Sequence, residues 1–115
     1  MVTIRQSDDV VFRAIADPTR REILKLLRHG RLTVGEIAAN FHTSRPAISK
    51  HLRLLRTAGL VISYKDGTAS ICGLNPKPLQ TVNEWLEDYR TLWRESQRNL
   101  KRYVEEPRNQ KKEKP

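Results

Sequence analysis

Arginine can pair two N–H groups with guanine, serine can donate to or accept from any base edge, and an alanine methyl can meet the methyl of thymine. Ser44, Arg45, Ala47, Ser49 and Lys50 bring these chemistries into one short run, and Arg53 extends it as a basic face. The chemistry implied is recognition of double-stranded DNA. The chain holds no Gly-rich phosphate loop, no nucleophile elbow and no carboxylate pair placed for acid–base work, so no catalytic residue and no enzyme activity are assigned.

Such residues must be held on a rigid element, and the stretch from Leu32 to Leu60 provides one. Val34, Ile37, Ala38 and Phe41 recur at helical spacing, with Glu36 and Asn40 left for solvent. The pattern stops at His42-Thr43-Ser44. A second begins, with Ile48, Leu52 and Leu55 on one face and Pro46, Ser49, Lys50, Arg53 and Thr57 turned away from it. Ser44, or Thr43, can cap the second helix, Pro46 falls in its first turn, and Gly59 suits a left-handed C-terminal cap. Two helices across a tight turn are either a helix-turn-helix, with 44–58 as the recognition helix, or an ordinary αα-hairpin with a solvated basic face.

The next residues decide between them. After Gly59 the period becomes alternating, with Leu60, Ile62 and Tyr64 on one side and Val61, Ser63 and Lys65 on the other; Asp66-Gly67 follows, and Ser70 to Leu74 returns. Asp-Gly between two such runs predicts a hairpin with a type I′ turn, in which both central residues have positive φ. A plain αα-hairpin gives no reason for this ribbon. The expected fold is therefore mainly α with a small β-hairpin: a winged helix-turn-helix with the wing over 60–74.

Upstream, Ser7 or Asp8 is expected to cap a first helix carrying Val10, Val11, Phe12 and Ile15, and Asp17-Pro18 to start a second through Ile23, Leu24, Leu26 and Leu27. Arg20, Arg21, Lys25 and Arg28 on that helix can reach phosphates or keep the surface wet, and the wet surface is the expectation. Downstream of Asn75-Pro76-Lys77-Pro78, the residues Leu79, Val82, Leu86, Tyr89, Trp93, Leu100 and Tyr103 fall at three- and four-residue steps, interrupted only at Ser96, and Trp85, Leu92 and Val104 widen the seam. A helix from Leu79 to Glu106 would be about 40 Å long, more than one small domain covers by itself. Large aromatics concentrated on one long helix predict a two-fold interface between copies, through Leu79, Val82, Trp85, Leu86, Tyr89, Leu92, Trp93 and Leu100.

At 115 residues the chain is expected to form one domain over 1–106, its DNA-binding part at about 7–75 and its dimerisation helix at about 76–106, followed by a disordered basic tail over 107–115. A formal net charge of +9 draws it to polyanions. No apolar run approaches the roughly 20 residues needed to span a bilayer, and the first residues lack the apolar core of a signal peptide, so a cytoplasmic protein with no membrane partner is expected. His51 is expected to be packed or to touch phosphate, and His29 and His42 to sit at helix ends. Cys72 is read as a small core residue, since the chain has no second cysteine for it to pair with.

Ala16-Asp-Pro-Thr-Arg-Arg-Glu-Ile-Leu, Leu32-Thr-Val-Gly-Glu-Ile-Ala, Ser44-Arg-Pro-Ala-Ile-Ser-Lys-His-Leu and Leu55-Arg-Thr-Ala-Gly-Leu-Val resemble the arsenic-repressor-type (ArsR/SmtB) winged-helix regulators over roughly residues 7 to 75. The resemblance implies a homodimer on promoter DNA, usually a repressor, with the first and last helices at the interface, which adds Val11 to it. It implies DNA contacts from Ser44, Arg45, Ser49 and Lys50, with the wing from Lys65 to Thr68 beside them. Metal-sensing members carry paired cysteines where this chain has Thr33 and Gly35, or Asp, His and Glu ligands on the last helix; here no histidine or cysteine follows Leu74. No metal site and no cofactor are expected. The effector is left open between a small molecule, a protein partner and concentration alone. A winged-helix protein-interaction module with only non-specific DNA affinity remains the alternative.

Overall fold

The computed structural model describes residues 6–105; the expected tail over 107–115 lies outside them. In chain order the elements are α1 (Gln6–Ala16), α2 (Pro18–Leu27), β1 (Leu32–Thr33), α3 (Val34–Ala38), α4 (Arg45–Thr57), β2 (Val61–Asp66), β3 (Ala69–Leu74), a 3-10 turn (Lys77–Leu79) and α5 (Gln80–Glu105). The chain divides into two compact units, one running to Val82 and the other from Asn83 onward.

The first unit is the winged helix-turn-helix. Its core takes Ile23, Leu24 and Leu27 from α2, Ile37 from α3, Ile48, Leu52 and Leu55 from α4, and Leu60, Val61 and Cys72 from the wing. Leu79 and Val82 pack against this core. Val11 is only 4% exposed and belongs to it as well, which corrects its assignment to a dimer surface: within one chain its side chain is already covered.

Local capping sets the helix ends. Asp17 accepts a hydrogen bond from the Arg20 N–H at 3.0 Å and Ser44 one from the Ala47 N–H at 3.2 Å, each ahead of a first-turn proline. Gly59, at φ +77°, closes α4. The N–H of Leu60 reaches the carbonyl of Leu55, and that of Gly59 the carbonyl of Arg56, the paired bonds of a Schellman motif. By contrast, α1 begins at Gln6, so Ser7 and Asp8 lie within its first turn and do not precede it as caps.

Arg21 is exposed, as its spacing predicts, and Arg20 half-buried, but both guanidinium groups also bond the end of α1. Arg20 Nε donates to the Ala14 carbonyl at 2.7 Å and Arg20 Nη2 to that of Arg13 at 2.9 Å, while Arg21 Nη1 reaches those of Ile15 and Ala16. These carbonyls end α1 and have no intrahelical partner, and two guanidinium groups satisfy them at the negative end of the helix dipole. Arg20 Nη1 also donates to His51 Nδ1 at 3.2 Å, which joins α2 to α4. His51 is thus a packed residue.

Asp17 sits beside this pair, 3.8 Å from His51 Nδ1. Burial works to raise its carboxyl; the hydrogen bond from the Arg20 N–H and the positive Arg20 guanidinium beside it outweigh burial and hold the group below its ordinary 3.8. Because the folded value is the lower one, this stabilisation is complete above 3.8 and is lost as pH falls through the folded value. Urea melts should accordingly show wild type and Asp17→Asn differing most near neutral pH and converging under strong acid. A gap that widens on acidification would reverse the sign.

The sheet has the order β1-β3-β2, all antiparallel. Two strands were expected; the third, Leu32–Thr33, pairs with Cys72 and Ile71 and is too short to show an alternation of its own. Asp66 pairs with Ala69, so the two-residue loop is Gly67-Thr68 and not Asp-Gly. Only Gly67, at φ +65°, is left-handed there. One positive φ at the first central position is the pattern of a type II′ turn, which replaces the expected type I′. On β2, Val61 faces inward, whereas Ile62 and Tyr64 face out.

In the second unit, Trp85 and Tyr89 meet with ring centroids 5.2 Å apart, and Arg90 bonds Glu87 at 2.9 Å. None of the described helices is long and apolar enough to cross a membrane.

Candidate nucleic-acid interface

Thr33 opens α3 with a reciprocal capping box: its Oγ1 accepts from the Glu36 N–H at 3.1 Å, and Glu36 Oε1 accepts from the Thr33 N–H at 2.8 Å. This is the position at which metal-sensing relatives are expected to carry a thiolate, and here it is a helix start. Phe41 lies past the end of α3 and packs against the core from the turn.

The turn delivers Ser44 to the start of α4 and leaves Ser44, Arg45 and Lys50 exposed at its N-terminal end. At about 100° per residue, α4 carries three faces. Ile48, Leu52 and Leu55 form the buried one. Lys50 and Arg53, with Pro46, lie roughly opposite and are exposed. Between these two faces, Arg45, Ser49 and Arg56 form a flank that looks toward the wing.

That flank and the wing enclose a groove of about 410 Å³. Arg45, Ser49 and Arg56 come from α4, Lys65, Thr68 and Ser70 from the ribbon, and Thr33 and Gly35 from the start of α3. Three cations and several hydroxyls line it, and no carboxylate is among the described lining residues. Arg45 Nη1 lies 3.9 Å from where a Cβ on Gly35 would stand, so the guanidinium is turned toward α3 and the groove. Arg56 Nη1 reaches Ser63 Oγ at 3.5 Å, linking α4 to the base of the wing.

Of the residues picked out from sequence, Arg45, Ser49, Lys65 and Thr68 meet in this groove; Ser44, Ala47, Lys50 and Arg53 do not line it. Arg56 belongs to the groove and was missed. Its signal was available: it stands at the helical spacing that continues Arg45, Ser49 and Leu52. Outside the groove, Arg31 packs on the wing. Its guanidinium lies 5.7 Å from the centre of the Tyr64 ring, and its stem crosses Gly73, where a Cβ would stand 3.4 Å from it.

A recognition helix with a basic, hydroxyl-lined groove between it and a β-ribbon defines a winged-helix DNA-binding protein. The family described as bacterial regulatory protein, arsR family, matches residues 17–63. The transcriptional repressor SdpR of Bacillus subtilis is 42% identical over 79 residues, covering 69% of this chain and 88% of that protein. The HTH-type transcriptional regulator Rv2034 of Mycobacterium tuberculosis is 42% identical over 86 residues, covering 75% and 80%. Among solved structures, an ArsR family transcriptional regulator matches with a TM-score of 0.72 at 33% identity, over 82% of this chain and 97% of that one. An ArsR-like transcriptional regulator from Rhodococcus sp. RHA1 matches with a TM-score of 0.63 at 31% identity, over 88% and 95%. The chain belongs to the arsR family and is a DNA-binding transcriptional regulator.

Proposed function

We propose that the protein is a cytoplasmic, non-enzymatic repressor that binds a palindromic promoter site as a homodimer, one α4 in each of two successive major grooves about 34 Å apart. Ser44, Arg45, Ala47, Ser49, Lys50 and Arg53 on α4, with Lys65 and Thr68 on the wing, make up its DNA surface. The observation that carries this is the basic, carboxylate-free groove beside the exposed N-terminal end of α4. A protein-docking face would be more apolar at its centre. The dimer forms through Leu79, Val82, Trp85, Leu86, Tyr89, Leu92, Trp93 and Leu100. No metal or other cofactor takes part, and release from DNA depends on a small molecule, a protein partner or concentration.

Fluorescence anisotropy on duplex DNA from the protein's own upstream region, against a scrambled duplex across a salt series, tests the proposal. Specific readout predicts a preference of roughly 10³ or more that survives added salt, while charge attraction alone gives micromolar or weaker binding that collapses on both duplexes. Selection from random duplexes covers an operator lying elsewhere. No preferred sequence from either route would identify the fold as a protein-interaction module.

A further inference from the structure

Resting on the DNA-binding reading, we infer that the two exposed faces of α4 divide the work of recognition. The groove side, Arg45 and Arg56 with Lys65 across from them, clamps the phosphate strand that runs between the major groove and the wing; base reading falls to the face bearing Lys50 and Arg53.

The geometry supports this in three steps. A helix lying in the major groove meets the base edges with residues toward its N-terminal end, and those on the side away from the core stand out furthest. In α4 that face carries Lys50 and Arg53, since the buried side is Ile48, Leu52 and Leu55. The sugar-phosphate backbone bounding the major groove must then pass beside the helix, on the side where the ribbon reaches the next groove. The channel available there is the groove between α4 and the wing, with a volume of about 410 Å³. Third, the channel's chemistry is that of a phosphate site: Arg45, Arg56 and Lys65 supply charge, Ser49, Thr68 and Ser70 supply hydroxyl donors, and no carboxylate competes among the described lining residues. None of these three cations takes part in an ion pair among the described residues. Arg45 is moreover turned toward Gly35 and away from the Lys50 face.

Arg56 thereby becomes a DNA-binding residue and Arg45 a phosphate contact. The Arg56 bond to Ser63 holds the guanidinium at the junction of helix and wing, so the strand is gripped where the two groove-reading elements meet.

The test uses the full-length protein and its Arg45→Gln, Arg56→Gln, Lys65→Gln, Lys50→Gln and Arg53→Gln variants. All five substitutions are at exposed positions, and circular dichroism checks the fold of each. Anisotropy is read on the preferred duplex and on a scrambled duplex across salt. Each groove variant should weaken both duplexes by the same factor and lower the slope of log K against log salt by about 0.9, leaving the preference between duplexes unchanged. Lys50→Gln and Arg53→Gln should reduce that preference. A collapse of preference in Arg45→Gln would make it a base reader and overturn the division. An unchanged affinity and slope in Arg56→Gln would remove it from the clamp. Failure of the DNA-binding reading itself would appear separately, as no preference in the wild type.

Discussion

Leu52→Ala is expected to destabilise the winged helix by about 2–5 kcal/mol, against a total of roughly 5–15 kcal/mol for a small domain. Leu52 has no exposed surface, and it sits where the core meets the floor of the groove between α4 and the wing. Truncation there removes apolar transfer energy and leaves a cavity that α2, α3 and the wing cannot all close, because Ile23, Ile37 and Cys72 are themselves fully buried in fixed positions. The effect should appear as a lower urea midpoint with little change in slope. Leu54→Ala, two residues along the same helix, supplies the control. Leu54 is 43% exposed, so its loss should cost only about 0.5 kcal/mol. Equal losses at the two positions would contradict the assignment of the α4 faces.

The same helix illustrates what the amino-acid order makes legible. Ile48, Leu52 and Leu55 were readable as the buried face because a packed helix repeats its core contact every three or four residues. Asp17, Ser44 and Gly59 were readable because each satisfies its own neighbours' backbone groups within a few residues. The features that escaped depend on elements meeting across the fold. Arg20 and Arg21 have the spacing of a solvated face, and only the angle between α1 and α2 brings carbonyls from Arg13 to Ala16 within their reach. Val11 looks like any apolar residue on a first helix; whether it faces its own core or a second copy is a question of packing. Alternation in β2 fixes two faces without saying which is covered, and the covered one carries Val61 and Ser63 while Ile62 and Tyr64 lie outside. Asp-Gly marked the wing turn correctly to within one residue. The pairing of Asp66 with Ala69 then moved the loop to Gly67-Thr68 and changed its type.

Trp93→Ala should weaken the proposed dimer by about 2 kcal/mol or more, roughly a thirtyfold rise in its dissociation constant. Seven of the ten large hydrophobic residues exposed in the described chain lie on α5, namely Trp85, Tyr89, Leu92, Trp93, Leu100, Tyr103 and Val104. With about 100° between successive residues, all seven fall within one arc of the helix. An exposed apolar arc of that length suits the proposed interface with a second copy. Trp93 is 62% exposed and stands midway along the length of the apolar stretch, where a fully desolvated anchor contributes most. Leu92→Arg is the harsher variant, because it would bury an unpaired cation in the interface. Sedimentation velocity across a concentration series reads the dimer directly. DNA binding then gives a second, independent readout: a duplex with one half-site should bind both variants as it binds wild type, whereas the full palindrome should lose the added affinity of the second α4. A sedimentation profile unchanged by both substitutions would place the interface elsewhere. Loss of half-site binding would show instead that α5 supports the fold of the winged helix.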